Sequence, residues 1–361
     1  MNIRNAVLIL GYNNTRINDV KKIKETARIY LNAITILCKK SPTSEDKNVA
    51  DYAIDVELDK KQENIDKVIA AIEALSVNVI ALLPFSDPGT QLGSVLAAQM
   101  GLKGPDLTKI DSALNKYAFR KAEKNAKHLP MGYKPIRFEK IESYEALCKL
   151  HQELDKKLFL KPTSEGNSRG CINLSHYKDL NCAWSEVEQY LSDGVVGEQL
   201  ITDSDEYSWD HVSGFSWVTE KKTTENQYSA EIQQIVPAPI SQQKKELIAN
   251  AGEFMASLAG YNSGACHNEI FYSSCSGTIR GVEPNLRPAG MRIWDLAALA
   301  FEDFDPWKEW VLWAAGKNLT QSSSSNFKQQ CYAGIRMISS KKIGILQHLP
   351  FISPESLYSK C

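Results

Sequence analysis

Glu283-Pro284-Asn285-Leu286-Arg287-Pro288-Ala289-Gly290 is the stretch on which the reading of this chain turns. It closes an apolar, strand-like run that starts at Thr278, and a second such run over 264–272 carries His267-Asn268-Glu269. Side chains two apart on an extended chain point the same way, so Glu283, Asn285 and Arg287 share one face. Two acids, an amide and an arginine on strands otherwise rich in Val, Ile and Phe are costly to bury without charged partners. Either they form a structural ion-pair network or they line a pocket for a charged ligand. Glu269, Glu283 and Asn285 are oxygen donors of the kind Mg²⁺ takes, with its other positions left to water and phosphate oxygens.

Upstream, Lys161-Pro162 opens a loop, 163–170, in which Ser164, Gly166, Ser168 and Gly170 recur within a few positions. Glycine tolerates backbone geometries that aim successive N–H groups at one oxygen cluster, so such a loop can wrap a polyphosphate. The P-loop order is missing, and an isolated Gly/Ser loop is equally an ordinary hairpin turn. Further on, Glu198-Gln199-Leu200-Ile201 ends one strand, and the acidic segment 203–210, with Asp205 and Glu206, opens the next. Carboxylates on either side of a short connection suit an adenine amino group and a ribose hydroxyl pair, or simply a solvated acidic turn.

The first hundred residues alternate apolar runs with amphipathic stretches at 6–10, 18–31, 33–37, 64–75, 77–83 and 89–100, which predicts a parallel α/β sheet with crossover helices. Gly11 follows the first strand without a G-x-G-x-x-G fingerprint, so a plain turn is expected there rather than a dinucleotide site. A basic helix over 111–125, strands near 136–138 and 157–161, helices at 143–154 and before 192, and a short β run at 171–174 make a small α+β lobe. A larger unit follows, with strands at 195–201, 207–214, 216–218, 228–236, 264–272 and 278–283 and a helix at 242–260. The polar segment 316–330 reads as a loop before strand-like runs at 333–338 and 344–346. The expected division is therefore 1–110, 111–192 and 193–361.

A chain of 361 residues exceeds one ordinary core, so modules packed around a shared cleft are expected. Hydrophobic residues at 43% and charged residues at 24% are typical of a soluble globular protein. A net charge of −1 argues against a nucleic-acid partner bound through bulk positive charge and leaves small anionic ligands open. Only Arg4 precedes the five-residue apolar run 6–10, too short for a signal core or a membrane span, so a cytoplasmic protein with no membrane partner is expected. Eight cysteines without a C-x-x-C pair point to reduced, mostly buried thiols rather than a zinc knuckle or a redox motif.

In order, Asn115-Lys116-x3-Arg120, Lys161-Pro162 with its Gly/Ser loop, Glu198 with Glu206, Val236-Pro-Ala-Pro239, and Glu269 with Glu283-x-Asn285-x-Arg287-x2-Gly290 resemble the ATP-grasp superfamily, in particular its carboxylate–amine ligase branch. The resemblance runs from about residue 111 to 290. It implies α/β and α+β architecture: an ATP-grasp fold behind an N-terminal, Rossmann-like parallel α/β domain. It further implies an ATP- and Mg²⁺-dependent ligase, with Mn²⁺ as an alternative, that forms an amide bond through an acyl phosphate. By the same resemblance Lys116, Lys161, Ser164, Gly166, Ser168 and Gly170 contact the phosphates, and Glu198, Gln199 and Ile201 the adenine. Glu206, or Asp205 beside it, takes the ribose. Glu269, Glu283 and Asn285 hold two metal ions, and Arg287, with Lys161, assists phosphoryl transfer. The implied substrates are a small carboxylate and an amine, amino acids among them, with the acceptor free or tethered to a carrier protein and a homodimer as a frequent assembly. Arg292 either meets a substrate carboxylate or pairs with Asp295. A biotin-carboxylase-like enzyme and a nucleotide-binding protein without turnover are the alternatives. The loop 163–170 is the expected lid over a water-sensitive acyl phosphate.

Overall fold

The computed structural model describes residues 3–12, 16–166, 168–176, 179–224, 231–261, 264–317 and 327–337. Alternating elements build the N-terminal domain: β1 (Arg4–Leu10), α1 (Ile17–Leu31), β2 (Ala33–Lys39), α2 (Ser44–Val49), β3 (Tyr52–Asp55), α3 (Gln62–Leu75), β4 (Val77–Pro84) and α4 (Asp87–Met100). The strands run parallel in the order β3-β2-β1-β4. Helices on both faces bury the whole run from Ala6 to Leu10, which is why β1 reads as continuous apolar sequence and not as an alternation. Ser86 caps α4 by accepting from the Gly89 N–H, and Pro88 sits in the first turn where a missing donor costs nothing.

The basic segment expected as one helix is two, α5 (Asp111–Leu114) and α6 (Lys116–Lys124). Asn115 turns extended between them and caps α6 by accepting from Ala118 N at 3.0 Å. The small lobe then comprises β5 (Phe138–Ile141), α7 (Tyr144–Glu153), β6 (Leu158–Pro162), β7 (Ile172–Asn173), α8 (Leu180–Val187) and β8 (Val195–Gln199), in an antiparallel sheet of order β5-β8-β6-β7. This corrects the boundary expected at 192. β8 pairs with β5 and β6, so the lobe reaches Gln199, because a strand follows its hydrogen-bonding partners and not its neighbours in sequence.

The large lobe holds β9 (Asp205–Val212), β10 (Phe215–Thr223), β11 (Glu231–Val236), α9 (Gln242–Leu258), β12 (Ala265–Tyr272), β13 (Ile279–Asn285), α10 (Ile293–Ala300), α11 (Pro306–Ala314) and β14 (Ala333–Arg336). Its six-stranded sheet runs β13-β12-β9-β10-β11-β14. β14 completes this sheet beside β11 and is no separate module. The run at 344–346 lies outside the described residues.

Trp307 and Trp310 on α11 pack edge-on against Phe85, and Trp294 on α10 packs on both of them, so the largest core cluster is shared by the N-terminal domain and the large lobe. No helix among the described residues is long and apolar enough to cross a membrane.

Candidate active site

A cleft of about 2340 Å³ opens where the three units meet. Lys116, Lys161, Ser164, Gly166, Ser168, Gly170, Glu198, Gln199, Ile201, Glu206, Glu269, Glu283 and Arg287 all line it. Asn285 stands behind the lining, 6% exposed, with its Oδ1 accepting from Arg287 Nη2 at 3.2 Å. Asp205, the alternative to Glu206, also reaches the cleft wall.

On the small-lobe side the break at Asn115 places Lys116 in the first turn of α6. Its N–H donates to Thr163 O at 2.8 Å, and its Nζ reaches both Glu165 O at 2.7 Å and Glu283 Oε2 at 3.1 Å. Burial alone would lower the Lys116 ammonium, but Glu283, Cys171 and Glu198 together outweigh it and raise the group. The loop 163–170 is thus pinned to the start of α6. Gly170 has φ +67°, and a Cβ there would fall 2.6 Å from the Tyr190 ring and 2.7 Å from Pro162, so only glycine fits.

Glu198 is 2% exposed on β8, beneath the loop's base. Arg120 donates to it twice, Nε to Oε1 at 2.7 Å and Nη2 to Oε2 at 3.2 Å, and Lys161 Nζ stands 2.8 Å from Oε2. Burial would raise this carboxyl, but Arg120 and Lys161 outweigh it and hold it down at about 2. Its folded value lies below the unfolded one, so it stabilises the protein above pH ~4.5, by about 3 kcal/mol, and the contribution is lost as pH falls toward ~2. Urea midpoints measured across that window are expected to fall steeply, and Glu198→Gln is expected to flatten the slope. An unchanged slope in the variant would remove Glu198 as its source.

On the large-lobe side the register sets Glu269 opposite Glu283 and His267 opposite Asn285. Like charges facing each other across a ladder repel, and here each acid has its own cation. Lys116 takes Glu283; Lys221 takes Glu269 at 2.5 Å and also holds Glu206 at 2.8 Å and Glu231 at 2.6 Å. Among the described residues, Glu206, Glu231 and Glu269 are the carboxylates near enough to one another to share a cation, whereas Glu269 and Glu283 stand side by side on paired strands at the cleft wall. Burial would raise Glu269; Lys221 and His267 outweigh it and keep the carboxyl well below its ordinary range.

Lys221 and Glu231 escaped the sequence reading. The one available signal was a lysine at an inward position of a strand, two residues after Thr219. His267 is hydrogen-bonded in the core, as a strand histidine is expected to be: Nδ1 lies 2.7 Å from Asp210 Oδ1, which also accepts at Oδ2 from Ser208 and Thr219. Burial would lower the imidazole, but Asp210 outweighs it and lifts it to about 9, so the ring is protonated at neutral pH and steadies Glu269. Arg287 pairs with Asp87 of the N-terminal domain, and Arg292 lies 3.4 Å from Asp295.

No protein-family model and no curated protein sequence matches the chain. Solved structures do resemble it. L-amino acid ligase from Bacillus licheniformis superposes with a TM-score of 0.72 at 17% identity, over 95% of this chain and 82% of that one. N5-carboxyaminoimidazole synthetase from Staphylococcus aureus, complexed with ADP, gives 0.70 at 16%, over 94% and 83%. Phosphoribosylglycinamide synthetase from Anaerococcus prevotii gives 0.69 at 16%, over 96% and 84%. With a parallel four-stranded domain, two antiparallel sheets and a cleft between them, matched over nearly its whole length, the chain has the ATP-grasp fold.

Proposed function

We propose that this protein is an ATP- and Mg²⁺-dependent carboxylate–amine ligase that joins amino-acid-type substrates through an acyl phosphate. The observation that carries the reading is the opposition, across one cleft, of the lysines Lys116 and Lys161 with the acids Glu269 and Glu283 and with Arg287. Phosphoryl transfer asks a protein for positioning and charge neutralisation, and this set supplies both. Lys161 and Lys116 meet the phosphates from the strand and the helix, under the loop residues Ser164, Gly166, Ser168 and Gly170. Gln199 and Ile201 edge the adenine pocket with Glu198 behind them, and Glu206 faces the ribose. Glu269, Glu283 and Asn285 are hard oxygen donors of the kind Mg²⁺ or Mn²⁺ takes, and would hold the two ions once Lys221, Lys116 and Arg287 give up the oxygens they engage here. Bound metal neutralises the charge that develops on the β- and γ-phosphate oxygens.

The substrate carboxylate oxygen attacks the γ-phosphorus as the bond to the β–γ bridging oxygen breaks, releasing ADP and leaving the acyl phosphate. The amine nitrogen then attacks the acyl carbon, the carbon–oxygen bond to phosphate breaks, and the amine gives up a proton as the amide forms. Arg287 stands where it stabilises the transferring phosphoryl group. Asn115 and Lys116 tie the loop down over this point, which excludes water from the acyl phosphate.

A screen of amino acids and small acids in pairs with ATP and Mg²⁺, read as phosphate release, tests the assignment. Release that requires an amine supports it; release that follows bicarbonate instead marks a carboxylating enzyme, and the absence of release with every pair marks a nucleotide binder without turnover. Lys161→Ala is expected to raise the KM for ATP about 10- to 100-fold, the worth of one charge-assisted hydrogen bond. An unchanged KM would place the phosphates elsewhere.

A further inference from the structure

The N-terminal sheet reverses its strand order between β1 and β4, and in open parallel sheets the crevice outside the strand ends at such a reversal is where ligands bind. Its floor is closed to a dinucleotide. A Cβ on Gly89 would fall 2.0 Å from the backbone oxygen of Leu10, and one on Gly11 would fall 2.4 Å from the Ser86 side-chain Oγ, so the start of α4 already closes on the end of β1. The crevice opens sideways instead, into the cleft described above, and there it presents Tyr12, Arg16 and Asp87.

Arg16 is the unusual member. Its side chain is 13% exposed, laid over the rings of Phe85 and Trp307 at 4.6 and 5.1 Å, with Nε on Asp19 at 2.9 Å. Nη1 donates to Pro288 O at 3.3 Å, the same carbonyl that accepts from Arg287 Nη1 at 3.3 Å. Two guanidiniums therefore converge on one oxygen at the cleft wall. Burial lowers the Arg16 guanidinium and the neighbouring Arg287 acts in the same direction, against Asp19 and Asp295, which raise it. Arg16 is also the residue that leads into the 15-residue helix α1, whose N-terminus adds positive potential at the same place.

We infer that Arg16 binds a carboxylate of the non-nucleotide substrate that is not itself phosphorylated. The inference rests on the ligase reading. Arg287 adjoins Asn285 and Glu283 at the phosphoryl end, so the reacting carboxylate belongs there; Arg16, on the far side of Pro288, meets the next negative charge along. That charge is the carboxylate of the acceptor amino acid or the second carboxylate of a dicarboxylic donor. Asp87, beside Arg287 and 4.0 Å from where a Cβ on Gly166 would lie, puts a counter-charge for an ammonium group under the loop.

The test uses full-length wild type, Arg16→Gln and Arg16→Lys with ATP, MgCl₂ and pairs of proteinogenic amino acids, each partner also offered as the carboxamide of its non-reacting carboxylate. Wild type is expected to show a KM about 10- to 100-fold lower for the acid than for its amide. Arg16→Gln is expected to raise the acid's KM to that of the amide while the KM for ATP shifts less than about twofold, and Arg16→Lys to restore part of the preference. The partner whose amide is discriminated against, acceptor or donor, names the source of the carboxylate. Equal use of acid and amide by wild type, or a preference that survives Arg16→Gln, overturns the inference. If no pair releases phosphate, the ligase reading fails and calorimetry of the same amino acids with a non-hydrolysable ATP analogue decides the inference alone. Binding lost in Arg16→Gln upholds it; no binding to wild type, or equal binding to both, overturns it.

Discussion

Replacing Glu283 by glutamine is expected to cut ADP formation by about 10²- to 10³-fold while leaving the fold intact. Glutamine keeps the shape and one oxygen but removes the charge that faces the cleft between Lys116 and the neighbouring strand. The pair it gives up is partly exposed, with side chains 15% and 26% accessible, so the stability cost is expected to be about 1 kcal/mol or less. Loss of ADP formation with an unchanged unfolding midpoint, and a matching loss in Glu269→Gln, would tie both acids to the chemistry. Near-normal phosphate release from Glu283→Gln with a working substrate pair would end the metal assignment.

The largest stability effect is expected at Arg120. Its side chain is fully buried, and its fork donates to Glu123 and Glu198 as well as to Gly281 O at 2.9 Å and Val282 O at 3.1 Å. Because Glu198 lies on the small-lobe strand β8 and residues 281–282 on the large-lobe strand β13, one side chain joins both lobes behind the cleft. Arg120→Met leaves buried Glu123 without its cation and Glu198 with Lys161 alone, and is expected to cost about 3–5 kcal/mol in denaturant unfolding. Arg120→Lys is expected to recover little, since one ammonium cannot reproduce a planar fork that feeds four acceptors. Adding Glu198→Gln to Arg120→Met is expected to return part of the loss. A drop under about 1 kcal/mol in Arg120→Met would show that the network is incidental.

The legible parts of the chain were those whose information is local. The buried parallel strand 6–10 announced itself by a continuous apolar run, as did 79–83, whose residues 81–83 are buried, and the Glu283, Asn285 and Arg287 face by its alternation. Helices α10 and α11 are poorly marked in the sequence because each has polar residues only in its first turns, Asp295 in α10 and Lys308 and Glu309 in α11, while the rest is apolar and largely covered by the shared core. Glu198 illustrates a different limit. Its place at the end of a strand before an acidic connection was readable, yet its engagement by Arg120, 78 residues away, was not. Lys221 is the same case. Its three carboxylates come from β9, β11 and β12, which meet only through sheet pairing.

By itself the sequence determined the periods of burial, the residues able to carry charge into the cleft and the glycines of the covering loop, because these follow from spacing along one chain. Only the tertiary structure decided which acid met which base, that β8 belongs with the small lobe, and that Arg16 and Arg287 come together at Pro288. Electrostatic pairing depends on distance through space, and residues 16 and 287 become neighbours only when two separately folded sheets close on a common cleft.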